Sequence, residues 1–492
     1  MRTFPFRSAL AAALLAAQLA ASAQTPDFDQ PPAPAAPRPL SIAAPVEQRL
    51  PNGLRVVLAE RRGVQLVTAQ LIVLSGSEAD PPRRAGLASM VAGLLTKGTR
   101  TRSASAQARD AESLGGSLDS GAGWHQSSLS ITVTVPKLDT ALALVSEAAQ
   151  HPAFATAELD RLRVQTLDDL KVSYTRPGTL ASLAAQQQLF GDGAYGHPAS
   201  GTPASLQRLT RADLVALHAA QYRPDNAVLV LAGDLDADSA MQLARRHFGG
   251  WTAARSATGG PTAPQAGRES PQAALVIDLP QSGQAAVVVA SPLPPLGPER
   301  AAAAVLNAVL GGGFSSRLSQ EIRIQRGLSY SVGSGLDARN WGGALRAVVQ
   351  TKNESAAEVV TLIQQQLDRL AMEPIGEAEL AARKATLIGD FSRRVETTAG
   401  LGAAVNALIV AGRSPNELRT RIEAISAVTA ADVQRFAQAH LGASRRRVVV
   451  AGDAKLFADA LKGAAPGFAT VPASELNLDG SDAPRVPPAL NR

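Results

Sequence analysis

The chain has 492 residues, of which 45% are hydrophobic and 18% charged, and its formal net charge is +6. This length exceeds one ordinary core and predicts a globular protein with two domains of roughly 200 residues each. The basic residues form no dense run interleaved with aromatics, which argues against nucleic-acid binding. The absence of cysteine excludes disulfides, thiolate metal sites and thiol catalysis.

Residues 1–23 have the pattern of a secretory signal peptide. A basic region containing Arg2 and Arg7 precedes a mostly apolar stretch at 9–21, and Ala-Ser-Ala at 21–23 supplies the small residues that a signal peptidase reads. The apolar stretch is too short to span a bilayer comfortably, and no later segment reaches about 18 uninterrupted apolar residues. We therefore expect a cleaved signal, a periplasmic location and no membrane span in the mature form. A retained N-terminal anchor is the alternative.

Three breaks in the hydrophobic pattern divide the rest of the chain. Residues 24–45 are rich in Pro and Ala and predict an extended tether. Residues 253–272 lack apolar periodicity and predict a linker, and residues 471–492 are rich in Pro and Asp and predict a loose tail. Two bodies of similar size remain, 46–252 and 273–470.

The two bodies share a repeated segment. Residues 209–234 and 428–453 align without gaps at an offset of 219, start with Thr-x-Ala-Asp and end with Ala-Gly-Asp. In each copy a threonine, Thr210 or Thr429, is placed to cap a helix that leads to an apolar strand. A repeat at this distance predicts two similar domains rather than a solenoid, whose repeats are shorter.

The first body mixes strand and helix patterns. Apolar alternation predicts strands at 54–58, 65–74 and 127–135, and helical periodicity covers 86–95, 104–114, 138–149 and 157–172. Strands come in adjacent groups, with helices in runs between them. This order predicts an α+β fold of two homologous α/β-sandwich domains, in which helices pack on one face of a mainly antiparallel sheet.

Several short motifs follow one another along both bodies. The first body has Leu-Pro-Asn-Gly-Leu at 50–54, Ala-Gly-Leu-Ala at 85–88, Lys-Gly-Thr at 97–99 and Tyr-Gly-His-Pro at 195–198, and the second has Gly-Gly-Gly-Phe-Ser-Ser-Arg-Leu at 311–318 and Arg-Gly-Leu-Ser-Tyr at 326–330. Each motif is weak alone. In this order, over roughly residues 45–465, the chain resembles the insulinase/pitrilysin peptidases, the inverted zincins.

In active members of that family, a His-x-x-Glu-His helix lies between the Ala-Gly-Leu-Ala and Lys-Gly-Thr motifs. The two His bind zinc, and the Glu activates the bound water. Here the three critical positions are Ser89, Ala92 and Gly93. The family's third ligand, a Glu, falls near Asp168 and Asp169, and a lone Asp without imidazole partners does not hold zinc. The resemblance therefore implies a chain with no metal, no cofactor and no catalytic residue of its own.

No other catalytic constellation replaces the zinc motif. No two of the six histidines lie three to five residues apart, and no Gly-x-Ser-x-Gly elbow occurs. The glycines at 311–313 are not followed by the Gly-Lys-Ser/Thr of a phosphate loop.

The resemblance also implies a substrate-binding pair. Family members place an Arg and a Tyr seven residues apart in the C-terminal half, where both donate hydrogen bonds to the backbone of the substrate. Arg323 and Tyr330 have this spacing. Gly327 is a candidate helix stop, which would leave Arg323 near a helix end and Tyr330 at the start of a strand, aimed together at a carbonyl oxygen. The alternative is that Arg323 forms a surface ion pair and Tyr330 packs in the core.

Loss of the zinc ligands with retention of the pair favours a division of labour, as in two-subunit relatives of this family. We expect the non-catalytic, substrate-binding subunit of a heterodimeric periplasmic zinc metallopeptidase, inactive alone. The resemblance places zinc on a homologous partner subunit and makes unfolded peptides the substrates. The alternative is a structural or peptide-binding protein without a peptidase partner, as in zinc-less core subunits of respiratory complexes.

Overall fold

The computed structural model describes residues 40–252 and 272–479. The predicted signal peptide, most of the predicted tether and linker, and residues 480–492 lie outside the described residues. Within the described part, no helix has both the length and the hydropathy needed to cross a bilayer.

Twelve strands and fifteen helices make up the described ranges, with short 3-10 turns and a π-helical turn at Ser319–Gln325. The strands are β1 (Val46–Arg49), β2 (Arg55–Glu60), β3 (Leu66–Val73), β4 (Asp119–Ala122), β5 (Ser127–Thr134), β6 (Ala227–Gly233), β7 (Ala274–Asp278), β8 (Ala285–Leu293), β9 (Ser331–Arg339), β10 (Gly342–Thr351), β11 (Arg447–Gly452) and β12 (Ala469–Pro472). The helices are α1 (Leu87–Leu94), α2 (Ala104–Ser113), α3 (Leu138–Gln150), α4 (Thr156–Ser173), α5 (Pro177–Phe190), α6 (Pro203–Arg208), α7 (Arg211–Gln221), α8 (Ala237–Phe248), α9 (Arg300–Leu310), α10 (Ala356–Met372), α11 (Glu377–Arg394), α12 (Thr398–Val410), α13 (Glu417–Ala427), α14 (Ala430–His440) and α15 (Ala458–Ala464).

The first sheet belongs to the first body and has the strand order β1-β2-β6-β3-β5-β4. The β2–β6 pair is parallel, and the other four described pairs are antiparallel. Helix α1 contacts β4 and β5, and α3 contacts β3 and β5. Every residue of β6 is buried, which is the pattern of a strand covered on both faces.

The second sheet has the order β12-β7-β11-β8-β10-β9. Here β7 pairs in parallel with β11 and β12, and the remaining three described pairs are antiparallel. Helices α10 and α14 pack on β8. The predicted α+β class, with two domains built on mainly antiparallel sheets, is confirmed.

Each sheet has its second face covered by a helix from the other body. Helix α5 of the first body packs on β8 and β11, and α12 of the second body packs on β3 and β6. In β8, Val287 belongs to the core of its own body, whereas Val288 packs with Leu180 and Ala184 of α5, as alternating strand residues must. Helices of each body cover one face of its own sheet, as predicted, and the exchanged helices, which were not predicted, cover the second.

The predicted internal repeat is confirmed. Thr210 caps α7 in a reciprocal capping box with Asp213, and Thr429 caps α14 in the same way with Asp432. Each helix is followed by the corresponding buried strand, β6 or β11. The same local sequence therefore builds the same unit in both bodies.

The tail predicted to be loose from residue 471 is structured as far as residue 479. Residues 469–472 form β12, in which Val471 lies beside Ile277 of β7. Leu476 packs near the end of α5, and Leu478 is 6% exposed. The prediction is wrong here because a few apolar residues between the prolines and aspartates are enough to attach the chain to a sheet edge.

Candidate functional site

Helix α1 carries the three positions that the family resemblance links to zinc. The helix begins after Gly86, which has φ of 89°, and the Asp80 carboxylate accepts hydrogen bonds from the backbone N–H of Gly86 and Ala88, both at 2.8 Å. These two bonds satisfy backbone N–H groups at the helix start, which have no partner within the helix. Six of the eight residues of α1 are buried, so packing fixes the helix in place.

The three positions are used for packing in this protein. The Ser89 hydroxyl donates to the Ala199 carbonyl at 2.8 Å, and Ala92 is fully buried. A Cβ atom added to Gly93 would lie 3.1 Å from Cδ2 of Leu162 in α4. An imidazole at position 93 would therefore have to displace Leu162.

The residues present do not fit a zinc ion. Ser89 and Gly93 stand where the motif has its two zinc-binding imidazoles, and Ala92 has no carboxylate to activate a bound water. Asp168 lies exposed on α4, where it pairs with Lys171 at 2.8 Å, and Asp169 is also exposed. Over residues 40–252 and 272–479, no three His, Asp or Glu side chains converge as a metal site would require.

The structure brings Arg323 and Tyr330 together. Arg323 lies in the π-helical turn, Gly327 follows with φ of 62°, and Tyr330 directly precedes β9. The Cζ atom of Arg323 lies 4.4 Å from the centroid of the Tyr330 ring and 5.0 Å from that of Phe314. Phe314 was not predicted, although an aromatic residue in a glycine-rich turn is a signal that could have identified it.

These aromatic side chains lie on the surface. Tyr330 is 85% exposed and Phe314 62% exposed, so the arrangement with Tyr330 in the core is not found. In the described ranges, Arg323 forms no ion pair and the Tyr330 hydroxyl has no hydrogen-bond partner. Stacking on two rings orients the guanidinium at a gain of about 0.5–1 kcal/mol per contact. Its N–H groups and the phenol remain available to a ligand.

An edge strand begins beside the pair. β9 is the last strand of the second sheet, and an edge strand presents N–H and C=O groups that an extended peptide can pair with. The Gly311 carbonyl already accepts from the N–H of Ser334 at 3.0 Å. The accessible part of this edge next to Tyr330 is therefore the start of β9.

A second cluster, missed by the sequence reasoning, joins the two bodies at the far end of β9. The Arg339 side chain is 3% exposed, and its Cζ lies 4.2 Å from the Trp124 ring and 4.7 Å from the Tyr195 ring. Nε2 of His125 is 2.7 Å from the Tyr195 hydroxyl and accepts from the backbone N–H of Asn340 at 3.3 Å. These contacts join segments that are far apart in sequence. The Tyr-Gly-His-Pro motif, which contains Tyr195, was their one signal in the sequence.

Burial sets the ionisation of this cluster and of two nearby carboxyls. Desolvation, followed by the charge of Arg339, lowers the pKa of His125 to about 4. Desolvation raises the pKa of Glu78 to about 7 and that of Asp80 to about 7, with Glu78 adding to the rise at Asp80. His125 is thus neutral at pH 7, as an Nε2 that accepts hydrogen bonds requires.

Two sequence profiles of one peptidase family match the chain. The insulinase (peptidase family M16) profile matches residues 55–202, and the profile described as the peptidase M16 inactive domain matches residues 208–387. An uncharacterized zinc protease of Mycobacterium bovis is 32% identical over 355 residues, which are 71% of this chain and 80% of that protein. The chain belongs to the M16 family. An uncharacterized zinc protease of Streptomyces coelicolor is 27% identical over 80% of this M16 chain and 86% of its own length.

Solved M16 structures share the fold. The peptidase M16 inactive domain from Pseudomonas fluorescens has a TM-score of 0.76 at 26% identity, over 83% of this chain and 98% of that one. The first half of the periplasmic protease PqqL from Escherichia coli has a TM-score of 0.68 at 16% identity, over 87% and 98%, and this likeness concerns the fold alone. With Ser89, Ala92 and Gly93 at the zinc-motif positions, this M16 chain is a non-catalytic member of the family.

Proposed function

We propose that this M16 chain is the substrate-binding subunit of a two-subunit periplasmic zinc metallopeptidase, with the zinc on a homologous partner. The observation that carries the proposal is the exposed pair of Arg323 and Tyr330, held together at 4.4 Å on a chain without zinc ligands. A surface tyrosine that is 85% exposed contributes little to folding, so its placement beside an oriented guanidinium favours a binding role.

The pair would act on a peptide carried along the start of β9. A peptide that extends the sheet edge is fixed in register by backbone hydrogen bonds, and one of its carbonyl groups then faces the guanidinium and the phenol. Two donors aimed at one oxygen stabilise the negative charge that develops there when water attacks the carbonyl carbon. The zinc-bound water itself would come from the partner.

The periplasmic location rests on the signal-peptide pattern of residues 1–23, which lie outside the described residues. The fold-level relative from Escherichia coli is itself a periplasmic protease. Extended, unfolded peptides fit this proposal because an edge strand can pair only with a backbone that is free of its own secondary structure.

The test is reconstitution with a homologous exported protein that has an intact His-x-x-Glu-His. We expect neither protein alone to cleave an unstructured peptide and the mixture to cleave it. Tyr330→Phe should lower kcat of the mixture by about 10²–10³-fold, as loss of one oxyanion donor does, without changing the melting temperature. Arg326→Gln is the matched control, because Arg326 lies three residues after Arg323 and pairs with Glu321 and Glu358.

Full activity of the zinc-bearing protein in the absence of this chain would refute the shared site. That result would favour the structural or peptide-binding alternative. A Tyr330→Phe variant that loses thermal stability but keeps the rate would also contradict the proposal.

A further inference from the structure

Helix α11 connects the Arg323–Tyr330 surface with a second group of charged side chains. In the first half of α11, the Arg383 guanidinium donates to the hydroxyl and the carbonyl of Ser315, at 2.6 and 2.5 Å. Ser315 follows Phe314, whose ring contacts Arg323. Arg394 comes eleven positions after Arg383, which is close to three full turns. Both side chains therefore lie on the same face of α11, about 16 Å apart along its axis.

The second group consists of Arg300, Arg394, Arg413 and Arg421, hereafter the arginine cluster. These residues come from the start of α9, the end of α11, the turn after α12, and α13, which contacts the other three helices. The Cζ atom of Arg421 lies 5.5 Å from the Phe391 ring. Burial lowers the pKa of Arg421, and the other three arginines lower it further. Arg421 is thus within electrostatic range of the other three guanidinium groups.

Few groups of the chain compensate this charge. Glu417 forms an ion pair with Arg413. In the described ranges, neither Arg394 nor Arg421 has an ion-pair or hydrogen-bond partner. The Nε atom of Arg300 is buried without a hydrogen-bond partner among the described residues. Arg300 is also the first residue of α9, where the helix dipole favours negative charge. Among the described residues, Glu417 is thus the single carboxylate that forms an ion pair with any of these four arginines.

We propose that the arginine cluster binds a carboxylate of the peptide substrate whose carbonyl faces Arg323 and Tyr330. Guanidinium groups bind carboxylates through paired, charge-assisted hydrogen bonds. This inference rests on the proposed function, because it assigns the acidic class of substrate to the same site.

The carboxylate can be an acidic side chain or the C-terminal carboxylate of the peptide. Both present the same two oxygen atoms, so the arginine cluster indicates a carboxylate without indicating which of the two it is. A binding experiment distinguishes them. Four unstructured ten-residue peptides separate them: a single Glu or a single Gln at one position, each with a free or an amidated C-terminus.

Binding of fluorescent versions of these peptides to the full chain is measured by anisotropy. We expect the Glu peptide, or the peptides with a free C-terminus, to bind about tenfold more tightly than the Gln peptide with an amidated end. The double variant Arg394→Gln, Arg421→Gln should remove this difference and leave binding of the neutral peptide unchanged. Arg419→Gln is the matched control, because Arg419 lies in α13 two positions before Arg421 and is exposed.

Equal affinity of acidic and neutral peptides for the unsubstituted chain would overturn the inference. If Tyr330→Ala then weakened both peptides, the proposed function would stand without the acidic preference. A preference that survives Arg394→Gln, Arg421→Gln would place the carboxylate elsewhere and also overturn the inference. If no peptide bound at all, the proposed function would fail together with it.

Discussion

The contact between the two bodies should weaken with acid because it depends on a neutral His125. Nε2 of His125 accepts the hydrogen bond from the N–H of Asn340 and lies 2.7 Å from the hydroxyl of Tyr195, which in turn accepts from the N–H of Trp341 at 3.3 Å. A proton on Nε2 removes the acceptor that these contacts share. The folded-state pKa of about 4 lies below the ordinary value of 6.5. The stabilisation is therefore complete above pH 6.5 and is lost as the pH falls towards 4.

The magnitude follows from the two pKa values. Between pH 7.5 and 4.5, proton linkage at His125 should remove about 2.5 kcal/mol from the free energy of unfolding. Glu78 and Asp80 act in the opposite direction, because raised carboxyl pKa values of about 7 favour the folded state as the pH falls from 7. The pH profile of the unsubstituted protein alone does not isolate His125.

The variant His125→Gln isolates it. A glutamine carbonyl can accept the same hydrogen bonds and does not titrate, whereas the two carboxyls remain unchanged in both proteins. Melting temperatures of the two proteins, measured from pH 7.5 to 4.5, should diverge by several degrees, with the variant becoming the more stable one relative to its value at pH 7.5. Parallel profiles over this range would refute the assignment of a neutral, hydrogen-bond-accepting His125.

Three further predictions concern the metal, the N-terminus and the exchanged helices. The purified chain should hold no stoichiometric zinc, and elemental analysis that finds one tightly held zinc per unsubstituted chain would contradict this. The triple variant Ser89→His, Ala92→Glu, Gly93→His should have a lower melting temperature by calorimetry, because a side chain at position 93 meets Leu162. Protein from its native compartment should begin at or near Gln24, and an intact mass that retains Met1 would count against a cleaved signal. Thr68→Val should lower the free energy of unfolding by about 1–3 kcal/mol, because it leaves the hydroxyls of Thr132 and Thr398 without their shared partner; an unchanged melting temperature would contradict this.

Individual helices and strands could be predicted from the sequence, because hydrophobic periodicity and capping residues within each segment determine them. The helix predicted at 104–114 is α2, capped by the Ser103 hydroxyl, which accepts from the N–H of Ala106. The strand predicted at 127–135 is β5, where buried and partly buried residues alternate. The cap of the helix and the alternation of the strand are both visible in residues that are neighbours in sequence.

Contacts between distant segments were not readable in the same way. No helix was predicted over Pro177–Phe190, and the apolar residues of α5 alone do not indicate that the sheet of the other body buries it. The arginine cluster gathers residues from positions 300 to 421, and no short-range pattern links them. Arg323 and Tyr330 were proposed from a seven-residue spacing, whereas Phe314, which completes the stack, lies in a separate turn.

The state of α1 shows why loss of zinc ligands need not have cost stability. In this chain the helix is held by six buried side chains and by the Asp80 carboxylate at its first turn, none of which depends on a metal. Gly93 lies against Leu162 of α4, which closes the space that an imidazole at this position would need. The position of α1 is therefore fixed by packing and by Asp80, with no metal needed. Tyr330, which is 85% exposed beside the Arg323 guanidinium, contributes little to this packing, and for that reason we expect its substitution to affect binding rather than folding.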